Sequence, residues 1–329
     1  LTTIRIGKAA VPAGSEFVAY LDELRRLVEA GLTRALPEGT APRVIVEAMR
    51  YPLAGGGKRL RPCLTLAVAE ALAPRAHLET REAHQLALPF ACAIELVHTY
   101  SLVHDDLPAM DNDTLRRGRP TTHVIYGDGM AVLSGDGLLT EAFSLMTRVP
   151  SPVLSVDAAA LPVERRLRGV ETLAGAAGPA GMVGGQAIDL VAAGRVTGTP
   201  ATSLDSNGLE EMHARKTGAL MRAAATLGAI AIGAEEAAIQ AVDTYARDLG
   251  LAFQIIDDVL DVEGSAAALG KTAGKDAAAG KPTYPALFGV EASRRMATIC
   301  VARAQATVKT AALGGRLAEF ARWSLDRQH

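Results

Sequence analysis

Aromatic residues are scarce, at 4% of 329 residues, and strand signals are almost absent. Alanine and leucine dominate instead, and both favour helix. The three cysteines, Cys63, Cys92 and Cys300, lie far apart in apolar stretches, with no CxxC pair. That spacing indicates neither a zinc site nor a disulfide framework, and buried reduced thiols are expected. Charge of either sign is not in surplus: 34 basic residues face 36 acidic ones, for a net charge of −2. Nucleic-acid binding normally requires a basic surface, so it is not expected, and any basic site must be local. No basic-then-apolar leader follows Leu1. No run of about 18 uncharged apolar residues is seen, so no membrane association is expected and the cytoplasm is the default location. The missing initiator Met suggests processing or trimming.

What the chain does have is helical periodicity along most of its length. The spacing predicts helices over 15–36, 60–72, 77–103, 122–147, 156–173, 182–192, 204–232, 235–262, 286–313 and 315–325. Loops are expected at 55–57, 118–120, 149–152 and 194–206, and over the Gly/Ala/Lys-rich stretch 264–282, which could form a flap. No shift in composition marks a domain boundary. The expectation is a single all-α domain over 1–329, a large helical bundle, with residues 1–13 as a disordered N-terminal segment.

Two acidic clusters extend apolar helices. The first is Asp105, Asp106 and Asp111, with Asn112 and Asp113 behind them. The second is Asp257, Asp258 and Asp261. Asp257 and Asp261 are four residues apart and share a helix face. The step from Asp106 to Asp111 is five, which a plain helical face does not fit, but Pro108 would disturb the helix and swing Asp111 back. Like charges one turn apart repel, and burying them uncompensated costs several kcal/mol. A cation is the natural compensation. Carboxylates without His or Cys suit Mg²⁺, which is commonly shared with substrate phosphates.

Cations accompany these carboxylates. Gly55-Gly56-Gly57-Lys58-Arg59-Leu60-Arg61-Pro62 sets three of them at a helix start, without the spacing of a P-loop. Arg116 and Arg117 follow the first cluster, and Lys216-Thr217 lies within the 204–232 helix. Lys271, Lys275 and Lys281 punctuate the 264–282 loop. There is no strong candidate for a Ser or Cys nucleophile with its base. Paired carboxylates for Mg²⁺ and separate cations for phosphate fit metal-assisted departure of a diphosphate.

In this order and combination, GGKRLRP, HTYSLVHDDLPAMDNDTLRRGRPTTH, GGQAIDL, RKTGAL, FQIIDDVLD and GKPTYP resemble the trans-isoprenyl diphosphate synthases over residues 58–285. The resemblance implies the all-α isoprenoid synthase fold around a deep cavity, about three Mg²⁺ ions per site and a homodimer. It implies isopentenyl diphosphate and allylic diphosphates as substrates. Lys58, Arg61, His98 and Arg117 would bind isopentenyl diphosphate, with Arg59 assisting. Asp105, Asp106 and Asp111 would hold Mg²⁺ against the allylic diphosphate, as would Asp257, with Asp258 and Asp261 nearby. Arg116, Lys216, Thr217, Gln254 and Lys271 would contact that diphosphate, and Gln186 and Asp189 would line the cavity. Ionisation of the allylic C–O bond, attack by the isopentenyl double bond and loss of a proton would follow, with the 264–282 loop closing over the phosphates. His104 and His123 are expected to be structural.

In such enzymes the depth of the cavity below the first cluster limits product length. Tyr100 and Ser101 lie five and four residues before Asp105, about a turn away and on roughly its face. A bulky Tyr100 would form a floor. This, with the longer spacing inside the first cluster, resembles bacterial farnesyl diphosphate synthases; a geranylgeranyl synthase and a non-catalytic partner subunit are the alternatives. A terpene cyclase fits less well, because its second motif usually mixes Asn, Ser or Thr with Glu.

Overall fold

A computed structural model describes residues 13–36, 39, 41–154, 161–263 and 283–326. In chain order these hold α1 (Ala13–Ala35), α2 (Arg43–Leu53), α3 (Leu60–Leu72), α4 (Thr80–Asp105), α5 (Thr122–Tyr126), α6 (Asp128–Thr147), α7 (Val163–Ala177) and α8 (Met182–Ala192). Then come α9 (Ser206–His213), a π-helical turn (Ala214–Gly218), α10 (Ala219–Ile232), α11 (Glu236–Glu263), α12 (Tyr284–Phe288), α13 (Val290–Thr310) and α14 (Leu317–Asp326). The expected flap, with Lys271, Lys275 and Lys281, lies outside the described residues, as does the expected disordered segment except for Ala13, which begins α1.

Three helices, α3, α4 and α10, are apolar on nearly every side, the pattern of helices enclosed by other helices. α4 is the central one and packs on α1, α2, α3, α6, α7 and α10. Among the described residues it alone is long and apolar enough to cross a membrane, yet 89% of that stretch is buried inside the protein. The three cysteines are buried and free. Burial pushes the Cys63 thiol up to about 12, so it stays protonated.

Most predicted helices appear with shifted ends, and some are divided. Glycines account for two divisions. Gly127 and Gly289 have positive φ, at 82° and 79°, and break the expected 122–147 and 286–313 helices into short and long pieces. The helix over 43–53 was not expected from periodicity. The expected loop at 118–120 is part of a hairpin in which Leu115–Arg116 pairs with Arg119–Pro120. Its turn residues, Arg117 and Gly118, have φ of 53° and 71°, both left-handed, as a tight two-residue hairpin turn requires.

Glycines also set helix spacing. A Cβ added to Gly228 on α10 would overlap the backbone oxygen of Thr65 on α3. Backbone cannot move aside as a flexible side chain can, so Gly228→Ala should destabilise the protein by about 1–3 kcal/mol despite alanine's better helix propensity. A lowered midpoint in differential scanning calorimetry checks this; an unchanged midpoint would mean that α3 and α10 separate freely.

Candidate active site

The C-terminal end of α4 carries the first acidic cluster. The helix ends at Asp105, before Pro108, and the chain folds back on itself. The Asp111 amide donates to the Asp105 carbonyl at 2.8 Å, and the Asp113 amide to that of Asp106 at 3.0 Å. The expected return of Asp111 therefore comes from a turn beyond the helix end. Asp105 accepts a hydrogen bond from Gln186 on α8 at 2.6 Å. Burial pushes its carboxyl above the usual carboxylate range; nearby Lys216 opposes this and Asp111 adds to it. Arg195 donates to the Met110 carbonyl and lies 3.3 Å from the Asp111 carboxylate. Arg195 sits in the expected loop at 194–206, and nothing in its sequence surroundings marks it.

Arg116 grips Asp106 with two nitrogens, at 2.6 and 2.9 Å, so Asp106 orients an arginine beside the cluster. Lys216 lies in the π-helical turn, donates to Asp189 at 2.6 Å, and is drawn electrostatically to Asp105 and Asp111 as well. Gly185 on α8 leaves the space this turn occupies, since a Cβ there would overlap the Lys216 backbone. π turns of this kind are frequent at functional sites.

The second cluster lies on α11. Asp257 is half-buried and within electrostatic reach of Arg61. Asp261 is buried one turn further on. Asp258 corrects an expectation. Its carboxylate accepts from Gln254 at 2.8 Å and from the Tyr284 amide at 3.1 Å, so it ties α11 to α12 rather than facing a metal beside Asp257. Thr217 donates to Gln254 at 2.8 Å, extending this chain to the π turn. Thr217 and Gln254, expected as phosphate contacts, thus hold one another.

The glycine-rich loop divides its cations. Arg59, at φ 48°, turns into the interior and is 3% exposed. It donates to Glu29, Glu95 and the Leu53 carbonyl at 2.7, 2.7 and 2.5 Å. This corrects its expected role as a phosphate ligand, because each of its three guanidinium nitrogens has an internal acceptor. Arg61 is half-buried, and its Nε has no partner among the described residues. Lys58 is half-buried nearby. Arg117 donates to the Gly56 carbonyl and lies against Gly57. Burial, with Arg61, Arg117 and Arg116 close by, holds His98 well below the ordinary imidazole value, so it is neutral at pH 7. Lys271 lies outside the described residues.

Among the described residues, no three His, Cys, Asp or Glu side chains alone make a metal cluster. The arrangement still fits Mg²⁺, because burial and Asp111 hold Asp105 above the usual carboxylate range and both side chains offer the hard oxygen donors that Mg²⁺ takes.

Tyr100 is buried and meets His104 edge-on, with ring centroids 5.7 Å apart. His104 bonds the Val132 carbonyl of α6 at 3.0 Å, in a space that Gly135 leaves open. Five helical steps turn a side chain about 140°, so Tyr100 lies toward α6 rather than on the Asp105 face. Ser101 is nearer that face; it is buried and donates to the His98 carbonyl at 2.8 Å. His123 meets the Thr121 hydroxyl at 3.0 Å, in keeping with a structural role.

The polyprenyl synthetase family model matches residues 42–313. The chain is 42% identical to the farnesyl diphosphate synthase of Geobacillus stearothermophilus, over 90% of this chain and 92% of that protein. It is also 42% identical to the geranylgeranyl diphosphate synthase of Cyanophora paradoxa, over 88% of each. The geranyltransferase of Helicobacter pylori, solved with magnesium and isoprenyl diphosphate, superposes with a TM-score of 0.77 at 28% identity, over 97% of both chains.

His213 ends α9 beside this site. Its ring stacks on Tyr284 at 5.6 Å, and neither nitrogen has a partner among the described residues. Asp258 is 3.8 Å away, too far for a hydrogen bond. Burial and the Lys216 charge lower the His213 pKa from 6.5 to about 4. Between those two values the unfolded chain binds a proton that the folded protein does not, so this stability is complete above about 6.5 and is lost as pH falls toward 4. His213→Phe keeps the stack and removes the titration. The thermal midpoint of the wild type should therefore fall more steeply than the variant's between pH 6.5 and about 4.5. Parallel profiles would show that His213 is not held neutral.

Proposed function

The chain belongs to the polyprenyl synthetase family, and on that premise we propose that it condenses isopentenyl diphosphate with dimethylallyl and then geranyl diphosphate to give farnesyl diphosphate. The observation that carries the proposal is the combination of Asp105 and Asp111 at the end of α4, Asp257 on α11 and a separate set of cations around Arg61. Such a division suits two diphosphates, one to be ionised and one to remain attached to its product.

Asp105 and Asp111, with Asp257 and Asp261 from α11, would hold Mg²⁺, about three ions per site as the family resemblance implies. The metal would supply neutralisation of the diphosphate oxygens. Arg116 and Lys216 would bind the same diphosphate, and their charges would favour departure of pyrophosphate. Lys58, Arg61, His98 and Arg117 would hold isopentenyl diphosphate with its double bond toward the allylic carbon. The C–O bond breaks, the double bond attacks the allylic cation, and the proton lost passes to the departing pyrophosphate. The neutral state of His98 supports a role in hydrogen bonding rather than in charge neutralisation. Positioning and electrostatics would supply the acceleration. The proposed assembly is a homodimer of single-domain chains in the cytoplasm.

A second reading, geranylgeranyl diphosphate synthesis, is favoured by the position of Tyr100 toward α6 and by the Cyanophora relative's equal identity. Purified protein, Mg²⁺ and labelled isopentenyl diphosphate, given separately with dimethylallyl, geranyl or farnesyl diphosphate, should yield a fifteen-carbon product and leave farnesyl diphosphate unextended. A twenty-carbon product would select the second reading. No product from any primer would shift the reading to a non-catalytic partner subunit. Asp105→Ala and Asp257→Ala should each lower turnover by about 10²-fold or more with unchanged helicity, and near-normal rates would remove the metal assignment. Tyr100→Ala should lengthen the product if the tyrosine forms the floor; an unchanged product would remove that role.

A further inference from the structure

We propose that Glu95 is the positioning residue of the isopentenyl diphosphate subsite, acting through its buried ion pair with Arg59 to fix the loop that carries Lys58 and Arg61. This rests on the prenyl-transfer reading and adds a residue that is neither in the acidic clusters nor among the expected ligands.

Glu95 lies on α4, three residues before His98 and so on a neighbouring part of the same helix surface. It is 2% exposed. Its Oε1 accepts from Arg59 Nη1 at 2.7 Å, and both side chains are almost fully enclosed. A buried carboxylate amid apolar helices needs a reason, because an ion pair in such a place seldom stabilises a fold more than apolar side chains would. Geometry supplies the reason. Gly56 and Gly57 have φ of 70° and 139°, and Arg59 itself is left-handed. This backbone turns Arg59 inward, where it joins α1 through Glu29, the end of α2 through the Leu53 carbonyl and α4 through Glu95. Arg59 also caps the start of α3. One guanidinium thus fixes the loop against three helices.

Glu95 also reaches beyond Arg59. It attracts both Arg61 and Arg117, two other cations of the proposed subsite. It lines a cavity together with Arg59, Arg117, Thr99 and Arg119. Among the described residues, Glu95 is thus the one carboxylate shared by all three arginines, each of which has a second acid nearby: Glu29 for Arg59, Asp257 for Arg61 and Asp106 for Arg117.

The pair can be removed without leaving a buried orphan charge, since Glu29, the other carboxylate on Arg59, is 43% exposed and can be hydrated. Breaking one partner of a buried pair is strongly destabilising, whereas replacing both with apolar residues of similar volume is often tolerated. The test variant is therefore Arg59→Met with Glu95→Met, assayed beside Glu95→Gln and the wild type. With helicity and thermal midpoint close to wild type, the double variant should raise KM for isopentenyl diphosphate by about tenfold or more, since loss of sub-ångström placement can weigh that heavily. KM for geranyl diphosphate should stay within about twofold. Double-variant KM for isopentenyl diphosphate within about twofold of wild type, or an equal rise for both substrates, would overturn the role given to Glu95. If the double variant does not fold, Glu95→Gln at a temperature where it is folded must show the same split, and failure to do so overturns the role. An active wild type beside an unaffected variant removes this inference alone; a wild type that extends no primer removes the prenyl-transfer reading, and this role with it.

Discussion

Charge buried at helix ends is the constraint from which the site is built. Asp105 and Asp106 close a helix that packs on six others; Asp106 is buried and Asp105 half-buried, so water offsets their charge only in part. Each carboxylate near them has a fixed protein donor or cation: Gln186 and Lys216 around Asp105, Arg116 on Asp106, Arg195 beside Asp111. Compensation is incomplete. Burial and Asp111 still hold both Asp105 and Asp106 above the usual carboxylate range, despite the arginine on Asp106. A bound cation would relieve that imbalance, so the electrostatics that burden the fold also mark the candidate site.

The helical architecture was legible because α3, α4 and α10 must be apolar over most of their surface to lie inside the bundle, and period and composition both register this. The ends were less legible. Gly127 and Gly289 look like ordinary small residues within helical patterns, but each adopts a positive φ that stops the helix. The helix over 43–53 escaped notice for another reason. Only Ala48, Met49 and Leu53 of it are buried, and Pro52 interrupts its final turn.

Residue type and spacing nominated the carboxylates and cations of the candidate site, but they did not say which way each side chain turns. Arg59 and Arg61 are both arginines in one short motif, yet one is locked inside by a left-handed backbone and the other is half-buried, its Nε without a partner among the described residues. Asp257 and Asp258 are adjacent, and a step of about 100° separates their roles. One faces Arg61, and the other is fastened to α12. Glu95 gave no signal at all, because a single acid among apolar residues has no partner visible in sequence; its partner is 36 positions away. Long-range pairing of this kind is the part of a site that a motif cannot contain.

The same reasoning bears on the depth of the cavity. A side chain five residues before Asp105 cannot lie directly beneath it on a straight helix, so Tyr100 acts where α4 meets α6. There it rests against His104, which occupies the gap left by Gly135. Gly137, two residues further along α6, admits Met49 of α2 in a similar manner. Gly135 and Gly137 thus set how closely α6 seats on α4 and α2 near Tyr100. Two relatives with the same identity to this chain but different product names fit that picture: small changes in how α6 seats against α2 and α4 would alter the space without altering any motif. If Tyr100 forms the floor, product length would follow how closely α6 seats on α4 around it.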